Sequence, residues 1–247
     1  MKTIFMLKYF FSIGFFFLSF NLGFCQEKKK DSIVPKIERF GLRLGVDAVK
    51  LATIFFDKNY KGLEFSGDYR LTKRYYLAAE LGNETKTTKD EHLDFTTKGT
   101  FLKAGFDYNL YENWTGMRNL VTIGLRYGAS TFSQTLNSYR IYNSDQYFGI
   151  SQSIETGQKF DGLSAQWVEL VLGTKVEVFN NIFVGFSIRG NKILSNSKPE
   201  NFDNLYIPGF NRTYNGDFGV GFNYTISYFF PIYKTSNAKK LLEKPKK

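Results

Sequence analysis

The stretch Asp217-Phe218-Gly219-Val220-Gly221-Phe222-Asn223-Tyr224-Thr225-Ile226-Ser227-Tyr228-Phe229-Phe230 decides how this chain is read. Phe218, Val220, Phe222, Tyr224, Ile226, Tyr228 and Phe230 occupy the even positions, and Gly219, Gly221, Asn223, Thr225 and Ser227 alternate with them. Side chains on a strand change faces at every residue, so this is a strand with one large apolar face and one small polar face. A soluble sandwich has room for such a strand. Its length, its aromatic ends and its place near the C-terminus point instead to a wall facing lipid, with a hydrated or packed lumen behind it.

Seven earlier segments repeat the alternation. Their outward sets start at Phe40, Leu63, Tyr75, Leu102, Val121, Val168 and Ile182. Opposite them lie Gly, Ser, Thr and charged residues. Eight segments make an even count, at the small end for outer-membrane barrels. The expected fold is therefore all-β, an antiparallel up-and-down transmembrane barrel over 39–230.

The links sharpen that expectation. Leu71 to Arg74, Tyr111 to Asn119 and Phe179 to Asn181 are short, and Asn180-Asn181 suits a tight hairpin because Asn tolerates positive φ. Val49 to Asn59, Gly82 to Thr100, Ser130 to Gln166 and Gly190 to Gly216 are longer. Short and long links thus alternate, as periplasmic turns and external loops do in bacterial barrels. Val49 to Phe56 reads as a short interfacial helix at the outer rim or as an extension of the first strand.

The N-terminus sets the compartment. Lys2 and Lys8 precede an uncharged apolar run ending at Leu22, too short to span a bilayer comfortably, and polar sequence follows. Residues 1–25 therefore read as a signal peptide cut before Gln26. A lipidated Cys25 is the rival, disfavoured by the bulky Phe24 before it. Cleavage removes the single cysteine, and with it any disulfide or thiolate chemistry. Mean hydropathy is −0.29, as expected where only alternate residues face lipid, and 16 Tyr with 27 Phe suit interfacial girdles. Residues 26–38 and 231–247 read as basic periplasmic segments, in most cases solvated tails.

Charges crowd the inward faces: Arg43, Asp47, Glu64, Asp68, Glu80, Lys103, Asp107, Arg126, Glu169, Lys175, Glu177 and Arg189. An eight-stranded barrel has an interior just wide enough for its own side chains. Charges there are expensive unless paired and hydrogen-bonded. The expectation is a plugged lumen whose acids and bases satisfy one another.

With these residues in place, the chain from about Phe40 to Phe230 resembles the small eight-stranded outer-membrane barrels typified by the OmpA transmembrane domain and OmpX. The likeness is one of architecture. Gly221, Phe222, Tyr224, Ile226, Tyr228 and Phe230 look like the C-terminal assembly signal of such barrels, which implies insertion by the barrel-assembly machinery. That signal usually ends the chain, whereas Pro231 to Lys247 follows here. Gly67 to Arg74 and Glu80 to Glu84 also resemble a barrel family of Bacteroidota, a likeness that supplies no mechanism. Fold analogy does not carry function.

No catalytic or metal-binding set is apparent. The one histidine, His92, lies beside Asp90, Glu91 and Asp94, and no serine is spaced as its nucleophile. No cofactor is expected. Loop aromatics, among them Tyr139, Tyr142, Tyr147, Phe148, Phe160, Phe202, Tyr206 and Phe210, suit either contact with protein or glycan or capping of the barrel. The expected partners are outer-membrane lipid, the assembly machinery and other envelope proteins, with nucleic acid excluded by compartment. The expected role is a non-enzymatic structural or accessory subunit, with a narrow channel or small-ligand transporter as the alternative and a barrel enzyme behind both.

Overall fold

Alternation along the chain becomes a closed ring of eight antiparallel strands. The computed structural model describes residues 37–90, 92–113, 117–141, 153–199, 204, 206–212 and 217–236. The expected signal peptide, Cys25, the basic residues of 26–36 and 237–247, and Glu91, Tyr142, Tyr147, Phe148 and Phe202 lie outside these residues. In chain order the elements are β1 (Ile37–Asp47), α1 (Ala48–Phe56), β2 (Tyr60–Arg70), β3 (Tyr75–Lys89), β4 (Leu93–Asn109), β5 (Leu120–Tyr139), β6 (Ile154–Phe179) and β7 (Ile182–Asn196). A hairpin of β8 (Tyr206–Ile207) and β9 (Asn211–Arg212) precedes β10 (Phe218–Ser236). The barrel order is β1-β10-β7-β6-β5-β4-β3-β2, and β8–β9 stands apart from the wall.

The register fixes the geometry. Starting at Lys192, partners run through Val168, Tyr127, Ala104, Ala79, Gly67, Leu44 and Tyr228 back to β7 at Ile182, ten residues away. Eight strands with a stagger of ten tilt by roughly 40° and leave an interior that side chains fill. Every residue on that circuit except Lys192 is apolar or glycine. Outward Leu44, Phe65, Leu81, Leu102, Leu125, Leu170, Ile188 and Phe222 are each exposed, most of them by about half.

Two features of the chain differ from the sequence reading. Most of the expected long links are strand: β3 runs to Lys89 and β4 starts at Leu93, β5 runs to Tyr139, β6 starts at Ile154 and β7 ends at Asn196. The reason lies on β5. Below, Val121, Ile123, Leu125 and Tyr127 face out and Arg126 faces in; above, Thr131, Ser133 and Thr135 face out and Phe132 and Leu136 are buried. The period of two persists, but the chemistry of the two faces inverts. A search for apolar-outward residues stops where the inversion begins. The alternation of short and long links therefore fails as an argument, since only 90–92 joins β3 to β4.

The barrel also extends beyond 39–230. β1 begins at Ile37, and β10 continues through Pro231 to Ser236, pairing Ile37 with Ser236. Proline is tolerated because the register slips there: Gly41 faces Pro231 but Phe40 faces Tyr233, leaving Ile232 as an extra residue. The Phe40 and Tyr233 rings stack at 4.9 Å across the slip.

Val49 to Phe56 is helical. β1 ends at Asp47, whose carboxylate accepts from Val49 N (2.8 Å) and Lys50 N (3.1 Å) and so caps α1. Asp47→Ala should therefore cost about 1 kcal/mol. The check is loss of amide protection confined to 48–56, with the strands unchanged.

Candidate functional site

The lumen holds most of the chain's unusual chemistry, so it is the candidate site. Three layers of charge stack along it between the end that carries the short turns and the end that carries α1.

At the turn end, Arg43 Nη1 lies 3.3 Å from Asp68, and its guanidinium sits over the Phe183 ring at 4.3 Å. Phe229 lies 5.8 Å from the same guanidinium and meets the Phe183 ring edge to face at 6.4 Å. Lys175 reaches the same Asp68 at 2.5 Å. Two cations thus share one carboxylate, with two aromatic rings packed against one of them at the turn end. Glu177 is placed apart from them, bonded to Arg118 (2.9 Å) and to the Asn181 N–H (2.9 Å), where φ of 66° at Asn181 makes the two-residue turn.

The middle layer joins six charges from five strands. Asp107 holds Arg126 Nη2 with both oxygens at 2.8 Å. Glu80 takes Arg189 at 2.5 and 3.0 Å and lies 3.8 Å from Lys103. Glu169 bonds Lys103 at 2.9 Å, Arg189 at 3.3 Å and the Trp167 indole N–H at 2.7 Å. Three acids meet three bases, all buried, which is the condition under which such charges are tolerable.

The upper layer was not legible as a network. Glu84 is fully buried and accepts from four groups: Lys50 Nζ, Tyr60 OH (3.3 Å), Tyr206 OH (2.7 Å) and Gly209 N (3.1 Å). Glu64 accepts from Lys50 at 2.5 Å and from Asn223 Nδ2 at 3.0 Å. One carboxylate thereby ties β2, β3, α1 and the β8–β9 hairpin together. Burial opposes the charge on Lys50, but Glu84 and Glu64 outweigh it and hold the ammonium well above the ordinary lysine range. The stabilisation this gives is present through neutral pH and is lost as pH rises through that raised value. Burial, with Glu84 alongside, also keeps the Tyr206 hydroxyl protonated far above its usual range.

Beside the upper layer the interior turns apolar, with the Phe101 ring 4.7 Å from Lys50 Nζ and 5.3 Å from Lys103 Nζ. Phe101, Phe132, Leu163, Ala165, Trp167, Ile193, Ile207 and Phe210 form one buried cluster. Trp167 and Phe210 meet edge to face at 5.8 Å. Gly128 makes room for Trp167, because a Cβ there would run into the indole. Tyr206, Ile207 and Phe210 thus point into the barrel as a cap, and not outward as contact residues.

Of the twelve charges expected inside, ten join the ion-paired layers. Glu177 pairs at the turn end and Asp47 caps α1. With Lys50 and Glu84 added, the layers hold six carboxylates and six cations. His92 lines a cleft of about 320 Å³ at the α1 end, beside Lys89, Asp94, Ser138 and Arg140. Its carbonyl accepts from Arg140 N (2.9 Å). Among the described residues no group of His, Cys, Asp and Glu is arranged to hold a metal ion.

A family model described as a domain of unknown function (DUF6048) matches residues 6–235. The chain belongs to that family. No curated protein matches. Among solved structures the chain is similar to Ail, the attachment invasion locus protein of Yersinia pestis, with 13% identity and a TM-score of 0.37 over 79% of this chain and 96% of that one. That likeness is too low to bear on either fold or role. The matched span of the DUF6048 family includes all three charge layers, α1 and the capping hairpin.

Proposed function

We propose that this chain is an integral outer-membrane β-barrel, sealed and non-enzymatic, that serves as a structural or accessory subunit of an envelope complex. The observation that carries the membrane part is the inverted polarity of the barrel. Leucines, phenylalanines and tyrosines stand exposed around its outside while Glu84, Glu169, Lys103 and Arg189 are buried within. Exposed apolar patches of this extent are rare on soluble monomers, and hydrocarbon is the surrounding that removes their cost.

On this reading the short turns and both ends of the wall face the periplasm, and α1 with the capping hairpin lies at the outer face. On α1, Lys50 turns into the lumen while Phe55 and Phe56 are 84% and 89% exposed, as suits a helix resting at the membrane interface. Gly221, Phe222, Tyr224, Ile226, Tyr228 and Phe230 on β10 serve as the assembly signal. The packed interior favours a sealed barrel over a narrow channel. The non-enzymatic part rests on the sequence, which offers one histidine and, after the expected cleavage, no thiol.

Fractionation tests the location. The protein is expected in the membrane pellet, resistant to urea and carbonate washes and heat-modifiable on gels; recovery as a folded, detergent-free soluble protein overturns the reading. Gentle extraction and affinity capture test the role. A stoichiometric partner is the expected result, and a lone monomer counts against an accessory subunit.

A further inference from the structure

The outer face of the barrel is not uniformly convex. Two adjoining hollows, of about 310 and 670 Å³, run up the outside of β3 to β6 and share Thr100 and Thr131 in their lining. The lower one is edged by Leu81, Leu102 and Ala129, which belong to the apolar band. The upper one is edged by Thr85, Ser133 and Lys98. Together they make a furrow that is greasy below, rich in hydroxyls at mid-height and cationic above.

Its cause is local. Ala129, Thr131 and Ser133 are small outward residues on β5, where larger ones precede them. Beside them the β5–β6 register slips: Phe132 faces Leu163 but Gln134 faces Phe160. The extra residue falls at Asp161-Gly162, with φ of 74° at Gly162, and a bulge of this kind bends its strand away from the partner.

The charge is directed. Lys61, Thr85, Lys98 and Ser133 form one outward row across β2 to β5, which sets the two lysines two strands apart, about 10 Å. Lys159 is balanced by Asp161 at 2.9 Å. Neither Lys61 nor Lys98 has an ion pair among the described residues. Lys98 lines the upper hollow and Lys61 stands one strand beyond its β3 edge, so two uncompensated ammonium groups flank Thr85 at the head of a groove that continues the apolar band.

We infer that this furrow binds a lipid with an anionic headgroup, its acyl chain along Leu81, Leu102 and Ala129 and its head between Lys61 and Lys98. The inference rests on the membrane reading above, since the band must face lipid for a tail to enter. The hydroxyls of Thr100, Thr131 and Ser133 supply donors at the depth where the linkage between tail and head would lie.

Detergent-solubilised protein titrated with phosphatidylglycerol or phosphatidylcholine, with bound lipid counted by native mass spectrometry, tests it. Wild type should retain phosphatidylglycerol preferentially. Lys61→Gln with Lys98→Gln should remove the preference, lowering phosphatidylglycerol retention about twenty- to thirtyfold, or about fivefold per lysine, and leaving phosphatidylcholine unchanged. Thr131→Trp should fill the furrow and lower retention of both. All three positions are exposed or half-exposed, and the heat-modifiable gel shift verifies that the variants fold. Equal retention of the two lipids by wild type overturns the inference, as does indifference to both changes. So does displacement of lipid by inorganic phosphate, which would assign the lysines to a free anion. A dimer lost in Thr131→Trp would assign the furrow to a second copy and overturn it too. A protein that fractionates with membrane yet shows no lipid preference fails here alone.

Discussion

Glu80→Ala is expected to destabilise the barrel by about 3–5 kcal/mol, because it strands buried cations. Arg189 loses its two shortest contacts, at 2.5 and 3.0 Å, and keeps only Glu169 at 3.3 Å. Arg126 and Lys103 each lose a more distant neighbour. The measurement is the urea midpoint of the barrel refolded in lipid vesicles. The informative comparison is the double change Glu80→Leu with Arg189→Met. It removes one charge of each sign while Lys103 keeps Glu169 and Arg126 keeps Asp107. Apolar replacement of a complete buried pair is often neutral or stabilising, so the double variant should recover most of the loss. If it is as unstable as the single one, the cost lies in lost packing and not in unpaired charge.

Glu84→Ala is the second large effect, with a different readout. Four donors lose their acceptor at once, and Lys50 is left with Glu64 alone. The expected loss is about 3 kcal/mol or more. It should fall unevenly. The 206–212 hairpin and α1 hang on this carboxylate, whereas the wall strands have their own ladders. Amide exchange should quicken in 48–56 and 206–212 and stay slow in β3 to β6. With the cap loosened, small-ion conductance in planar bilayers should rise above that of wild type. Glu84→Gln keeps an acceptor oxygen and should fall between the two. A hairpin that stays protected in Glu84→Ala would show that Phe210 and Ile207 hold it by packing alone.

The sequence and the structure part company at instructive places. Alternation along 40–48, 63–69, 75–81 and their successors assigns twelve charges to one face, because a single face assignment propagates along a strand, and ten of them meet in the paired layers. Lys50 escaped because it follows the strand and enters the lumen from a helix that begins at the Asp47 cap. A reading by strand period had no way to aim it. Glu84 escaped because it sits beyond the apolar band, on a part of β3 whose outward Asn83 and Thr85 are polar. The cap hairpin was ambiguous for a different reason: Tyr206, Ile207 and Phe210 are equally good outside as contact residues and inside as filling. Their burial, and the bond that the Tyr206 hydroxyl donates to Glu84, decide.

The contacts that neutralise the interior span long stretches of chain. Glu80 and Arg189 are 109 residues apart, Asp68 and Lys175 107, Tyr206 and Glu84 122, and Asn223 and Glu64 159. A chain halted after β6 would hold Glu80 without Arg189 and Glu84 without its tyrosine from the hairpin. The chain up to β7, α1 included, already carries all the layer charges, but only β10 joins β7 to β1, so the pairs that span the lumen are held in place when the ring closes. Such a molecule should close slowly, in a single cooperative step, because its pairs are far apart along the chain and both edges of the wall stay open until the last strand has arrived.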